Sequence, residues 1–166
     1  MAEELESHLN DPAVAFVREL LPSAVVEPDT NQLPGVHVPS YHIHLPPASG
    51  ADYRFTLWLR SEKQISARLL TSNENEYFWY RPFEEAEFRS PEEIDNAFIR
   101  AVKLIVCHNT RIEQRRGLFF NHFQCEYESV DGWKRLYGLS ALRWIRAPKI
   151  AGRRQVYQSP RLIPDN

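Results

Sequence analysis

The sequence predicts an α+β fold. It has an antiparallel sheet (a three-strand meander plus a C-terminal hairpin), one long packing helix and a short N-terminal helix. Three observations carry this. Residues 53–60 alternate, with Tyr53, Phe55, Leu57 and Leu59 on one side and Arg54, Thr56, Trp58 and Arg60 on the other, and a period of two is the mark of a strand. Residues 90–108 repeat apolar side chains at helical spacing behind a capping sequence. Asp131-Gly132 is a hairpin turn pair between two strand-like runs.

The elements follow in chain order. Residues 11–21 read as a short amphipathic helix. Asn10 or Asp11 caps its first amides, Pro12 fits its first turn, and Val14, Phe16, Val17, Leu20 and Leu21 form its apolar side. Residues 22–50 are rich in proline, which lacks an amide donor and is excluded from central strands. This stretch is expected to wrap the domain edge in extended form, with one short strand near 41–45. Residues 64–71 and 76–81 are the second and third strands of the meander, joined by the polar turn 72–75. The one-sided apolar pattern asks for a helix on one face. Ser90 as N-cap, Pro91 at the first helical position and Glu93 in a capping box start that helix. Ile94, Ala97, Phe98, Ala101, Val102, Ile105 and Val106 continue it, and Asn109 is expected to stop it in a left-handed conformation. Residues 118–128 and 133–143 form the C-terminal hairpin, broken near Gly138. Residues 147–166 read as a polar tail with a short strand at 155–158. The order of elements is similar, at the level of fold analogy only, to small bacterial binding modules such as secretion chaperones.

The chain has 166 residues, 43% of them hydrophobic and 12% aromatic, enough for a single domain spanning 1–166 with a real core. No run approaches the roughly 18 apolar residues of a membrane span. The start, Met1-Ala-Glu-Glu-Leu-Glu, lacks the basic-then-apolar order of a signal peptide. Two cysteines give no disulfide framework, so a cytoplasmic protein is expected. The net charge of −2 hides a split: residues 1–99 hold 7 basic and 17 acidic residues, and residues 100–166 hold 13 and 5. Arginine dominates the basic half, and its planar fork suits carboxylate or phosphate.

Candidate chemistry is sparse. His42 and His44 point to one face if 41–45 is a strand, as two zinc ligands would, but a solvated strand face is the preferred account of them. No metal and no other cofactor is expected. Cys107 and Cys125 read as small buried hydrophobes, and a pairing of Cys125 with His108 as a nucleophile is the competing idea. Glu84, Glu85 and Glu87 read as a solvated acidic loop. There is no glycine-rich phosphate loop, no nucleophile elbow and no zinc-protease helix. Arg111, Arg115 and Arg116 follow the long helix and are the candidate anion-binding set. Their structural alternative is to neutralise the helix end.

The outer face of the meander is the preferred site. Arg54, Trp58, Arg60, Arg68 and Trp79 would present an aromatic and arginine surface there, the composition of an interface. The competing reading covers that face and makes it a second core. These features point to a non-enzymatic module that engages another protein and no membrane. A nucleic-acid-binding protein using the arginine-rich C-terminal half is the first alternative. A small enzyme with dispersed active-site residues is the second.

Overall fold

Two antiparallel sheets and two helices make up the fold, seen in a computed structural model that describes residues 12–28, 41–59, 63–70, 78–80, 90–116, 121–140 and 153–163. The elements in order are α1 (Pro12–Leu20), β1 (Val25–Pro28), β2 (Tyr41–His44), β3 (Tyr53–Leu59), β4 (Lys63–Leu69), β5 (Phe78–Tyr80), α2 (Pro91–Cys107), β6 (Thr110–Arg116), β7 (Asn121–Ser129), β8 (Gly132–Ser140) and β9 (Arg153–Ser159). Sheet A runs β1-β2-β3-β4-β5 and sheet B runs β8-β7-β6-β9. The expected α+β class, meander, hairpin, long helix and short N-terminal helix are all present.

The long helix starts as its sequence dictates. The Ser90 side chain accepts from the Glu93 amide at 3.2 Å, and the Ser90 amide donates to the Glu93 carboxylate at 2.9 Å, so two otherwise orphaned donors are satisfied reciprocally. Its buried face (Ala97, Phe98, Ala101, Val102, Ile105 and Val106) shares one core with Tyr53, Phe55, Leu57 and Leu59 of β3. Val14, Val17 and Leu21 complete that core from α1 and its exit, and Ile112 and Cys125 enter it from sheet B. One core therefore serves both sheets. The buried Tyr53 hydroxyl ties them further by donating to Thr110 Oγ1 at 2.7 Å. At the margin, Asp52 donates its amide to the Gln158 carbonyl at 2.8 Å and accepts the Gln158 amide on its carboxylate at 2.7 Å.

Several expectations need correction. The arginines after the helix do not cap it. They lie in β6, a strand that hydrophobic periodicity misses because Ile112 is the one aliphatic residue in Thr-Arg-Ile-Glu-Gln-Arg-Arg. The last carbonyls of α2 are met by backbone amides instead: His108 donates to Leu104, and Leu162 and Ile163 donate to Val106. Asn109 is not left-handed; among the described residues only Gly50 and Gly132 have positive φ. The cap, His108, is extended, and the Asn109 side chain works as a clamp, donating to Glu128 at 2.7 Å and accepting from the Arg161 amide at 3.1 Å. The polar tail contributes a full edge strand, β9, with Leu162 and Ile163 packed on the core. The proline-rich segment supplies β1 as well as β2, and β1 is indeed an edge that ends at Pro28. Gly138 does not break β8; it sits opposite Gln124, and the irregularity lies where Cys125 opposes Tyr137 but Glu126 opposes Arg135. The turn at 72–75 and the acidic run at 84–87 lie outside the described residues. No helix among the described residues is long and apolar enough to cross a membrane.

Candidate functional site

The outer face of sheet A is set by strand alternation. Ile43, Leu57 and Ile65 line up across β2, β3 and β4 on the inner side. Their neighbours therefore stand on the outer side in three rows. One row holds His42, Trp58 and Gln64, and the next holds His44, Thr56, Ser66 and the Trp79 position. The third sets Arg54 directly opposite Arg68.

The rows differ in accessibility. Thr56, Gln64 and Ser66 are buried, so the middle of this face is closed. Trp58 is half-buried: its indole donates to Ser66 Oγ at 2.8 Å and its ring stands 3.8 Å from that of His42. The chain itself thus uses part of this tryptophan. Arg54 is half-buried and Arg68 exposed, and among the described residues neither has a carboxylate within ion-pair distance. Arg60 lies outside the described residues.

Sheet B solves the same problem differently. Its outer face carries Arg111, Glu113 and Arg115 of β6, with Glu126 and Gln124 of β7 and Arg154 of β9. Arg111 Nε donates to Glu126 at 2.5 Å, and Gln124 fills the other Glu126 oxygen at 2.6 Å. The Arg111 guanidinium also lies 4.4 Å over the Trp133 ring, a cation–π contact. Glu113 accepts from Arg115 on one oxygen and from Arg154 on the other, the latter at 2.7 Å. Burial pushes the Glu113 carboxyl up, but the hydrogen bonds and positive charges of Arg115 and Arg154 together outweigh it, and the pKa ends below its ordinary value. Two of the three proposed anion-binding residues, Arg111 and Arg115, thus already hold carboxylates. The third, Arg116, sits opposite Asn121 and Arg153 at the strand end.

The remaining candidates make contacts within the fold. His44 spans Thr56 Oγ1 at 3.0 Å and Glu27 at 3.4 Å, and no group of three metal-binding side chains occurs among the described residues. Cys125 is fully buried, and burial pushes its thiol pKa up, away from a reactive thiolate. His108 is turned to the Glu128 carbonyl at 2.9 Å. A cleft of about 460 Å³ opens beside it at the seam of the sheets, lined by Asn109, Thr110, Glu128 and Trp133 among others. Two of its polar groups are committed to the fold: Thr110 accepts from Tyr53, and Glu128 accepts from Asn109.

Sequence reasoning missed the counter-ions Glu113 and Glu126 and the role of Arg154. A signal was present, since Arg111, Glu113 and Arg115 alternate in sign at a spacing of two and so share one face of a strand. No family model, no curated protein and no solved structure matches the chain.

Proposed function

We propose that this chain is a non-enzymatic binding module that engages a protein partner through the outer face of sheet A, centred on Arg54, Trp58 and Arg68. The observation that carries the reading is the in-register Arg54–Arg68 pair on the open end of that face. Like charges directly opposite each other destabilise a sheet, so an uncompensated pair is a cost that a bound acceptor removes. The half-buried indole of Trp58, four residues along the same strand face, adds the aromatic component typical of protein interfaces. The nucleic-acid alternative draws less support. It relies on the C-terminal arginines, and Arg111, Arg115 and Arg154 spend their charge on Glu126 and Glu113, leaving less for phosphate neutralisation.

The test is site-specific photo-crosslinking in cells, with the reactive side chain placed at position 68 or, as a control, at position 154. A saturable protein adduct is expected from position 68 alone. The captured chain, purified, should bind the wild type about tenfold or more tighter than Arg54→Glu. No protein adduct from position 68, or a nucleic-acid adduct in its place, overturns the reading.

A further inference from the structure

Sheet B contains its own cross-strand arginine pair, and that pair shows what such an arrangement requires. Arg115 stands directly opposite Arg154, as Arg54 stands opposite Arg68. The sheet B pair is reconciled by Glu113, two residues from Arg115 on the same strand face, whose two oxygens each take one guanidinium. In sheet A the corresponding positions, one row in from the arginines, are Thr56 and Ser66. Both are short hydroxyl residues, both are buried, and Ser66 is engaged with Trp58. Neither can reach out as a carboxylate does. In the strands of that face the one described carboxylate is Glu27 of β1, in the far row opposite His42 and turned to His44. Asp52, two residues before Arg54, holds the Gln158 amide of sheet B on its carboxylate at 2.7 Å.

We infer that the Arg54–Arg68 pair is a carboxylate-receiving site, filled in trans by an aspartate or glutamate side chain of an acidic segment of the partner, as Glu113 fills the Arg115–Arg154 pair in cis. The inference rests on the binding reading above and specifies the chemistry of the occupant. Arginine forks match carboxylates in bidentate geometry, and the internal example takes one oxygen per guanidinium. The exposure of Arg68 leaves the approach open from solvent. The buried hydroxyls of the adjoining row are neutral, so the added acid meets no like charge from them.

The experiment uses the full chain and follows the side-chain Nε–Hε resonances of its arginines by NMR. The probes are N-acetylated, C-amidated hexaglutamate, hexaglutamine of the same capping, and the oligonucleotide dT12. Hexaglutamate should move the Arg54 and Arg68 signals saturably, with affinity about tenfold weaker in Arg54→Gln, and hexaglutamine should not. The Arg115 and Arg154 signals should stay still in the wild type and respond only in Glu113→Gln, which empties the internal site. Failure of Arg54 and Arg68 to respond to hexaglutamate overturns the inference, as does tighter binding of dT12 at the same residues. If a protein is crosslinked from position 68 but neutralising its acidic residues leaves its affinity unchanged, the inference fails while the binding reading stands. If position 68 captures no protein, the binding reading itself has failed.

Discussion

The two sheets carry the same kind of side chain on their outer faces and treat it in opposite ways. On sheet B, Arg111, Arg115 and Arg154 close around Glu126 and Glu113, and both acids are buried by doing so. On sheet A, Arg54 and Arg68 stand directly opposite each other, next to a row of hydroxyl residues. Counting charges along the chain points to the C-terminal half, where arginine is abundant. Pairing them in three dimensions reverses the conclusion, because Arg111, Arg115 and Arg154 of the basic half hold carboxylates, while Arg54 and Arg68 of the acidic half hold none among the described residues. What matters for a partner is the field left after internal neutralisation, not composition.

The comparison presumes that both faces ride on one core, and the largest expected effect tests that premise. Phe98 is fully buried in the cluster that joins β3, β4, Ile112 and Cys125. Phe98→Ala should cost about 3–5 kcal/mol. Urea unfolding followed by far-ultraviolet circular dichroism and by tryptophan fluorescence should shift together. Separate transitions for the two probes would mean that the sheets are independent units and their faces not comparable.

Next in size is Trp58. Its indole loses a hydrogen bond to Ser66 and a ring contact with His42 when truncated, yet it is only half-buried. Trp58→Ala is expected to lower stability by about 2 kcal/mol, below the full range for a core aromatic. A loss of 4 kcal/mol or more, on the order of a core tryptophan, would make this part of sheet A a second core and leave the open face to Arg54 and Arg68 alone.

The sheet B ion pairs come third. Glu126→Gln keeps the shape but leaves Arg111 without its anion; both side chains are largely shielded, at 21% and 11% exposure. A cost of about 1–2 kcal/mol is expected from urea midpoints. An unchanged midpoint would show that the pair contributes no stability and that the contrast between faces is one of appearance.

These elements also show where the sequence was readable. The α2 helix was legible because its signals agree: Ser90 and Glu93 cap it, Pro91 suits its first turn, and the apolar spacing from Ala97 to Val106 follows the helical period. The β3 strand was legible for the same reason at period two. The β6 strand was not, because its inward residues Thr110, Ile112 and Gln114 are mostly polar although all three are buried. Its pattern is written in charge sign, with Arg111, Glu113 and Arg115 outward, which a hydrophobic reading ignores. The outward position of Arg54, Trp58 and Arg68 followed from alternation alone. Their local partners did not, since His42 and Ser66 reach Trp58 through the register of three strands.

Acid titration sharpens the contrast further. The Glu113 carboxyl has a pKa below its ordinary value: burial raises it, and the hydrogen bonds and charges of Arg115 and Arg154 together more than reverse that. A group with a lowered folded-state pKa adds stability above its unfolded value, and that stability is lost as pH falls through the folded value. The wild type should therefore weaken as pH drops below the ordinary glutamate value, about 4.3. Glu113→Gln should show a flatter acid limb in the same window. Parallel limbs for the two proteins would remove Glu113 as the anchor of the sheet B arginines.

The smallest effect is the most diagnostic. In sheet A the opposed like charges of Arg54 and Arg68 repel each other, and the adjoining row, Thr56 and Ser66, offers only hydroxyls. Replacing one of them removes repulsion without removing an attraction. Arg68→Gln should therefore leave stability unchanged or raise it by a few tenths of a kcal/mol, roughly the size of a cross-strand pair term. The gain should shrink as salt rises, because screening already relieves the wild type; the Debye length falls from about 10 Å at 0.1 M to about 3 Å at 1 M. Urea midpoints of wild type and variant at those two ionic strengths supply the measurement. The sign is the informative part, since truncating an arginine that holds an internal carboxylate costs stability, as expected for Arg111 on sheet B. If Arg68→Gln instead lost about 1 kcal/mol or more, an acid of this same chain would already occupy the pair. The open site on sheet A would then be as internally satisfied as the closed one on sheet B.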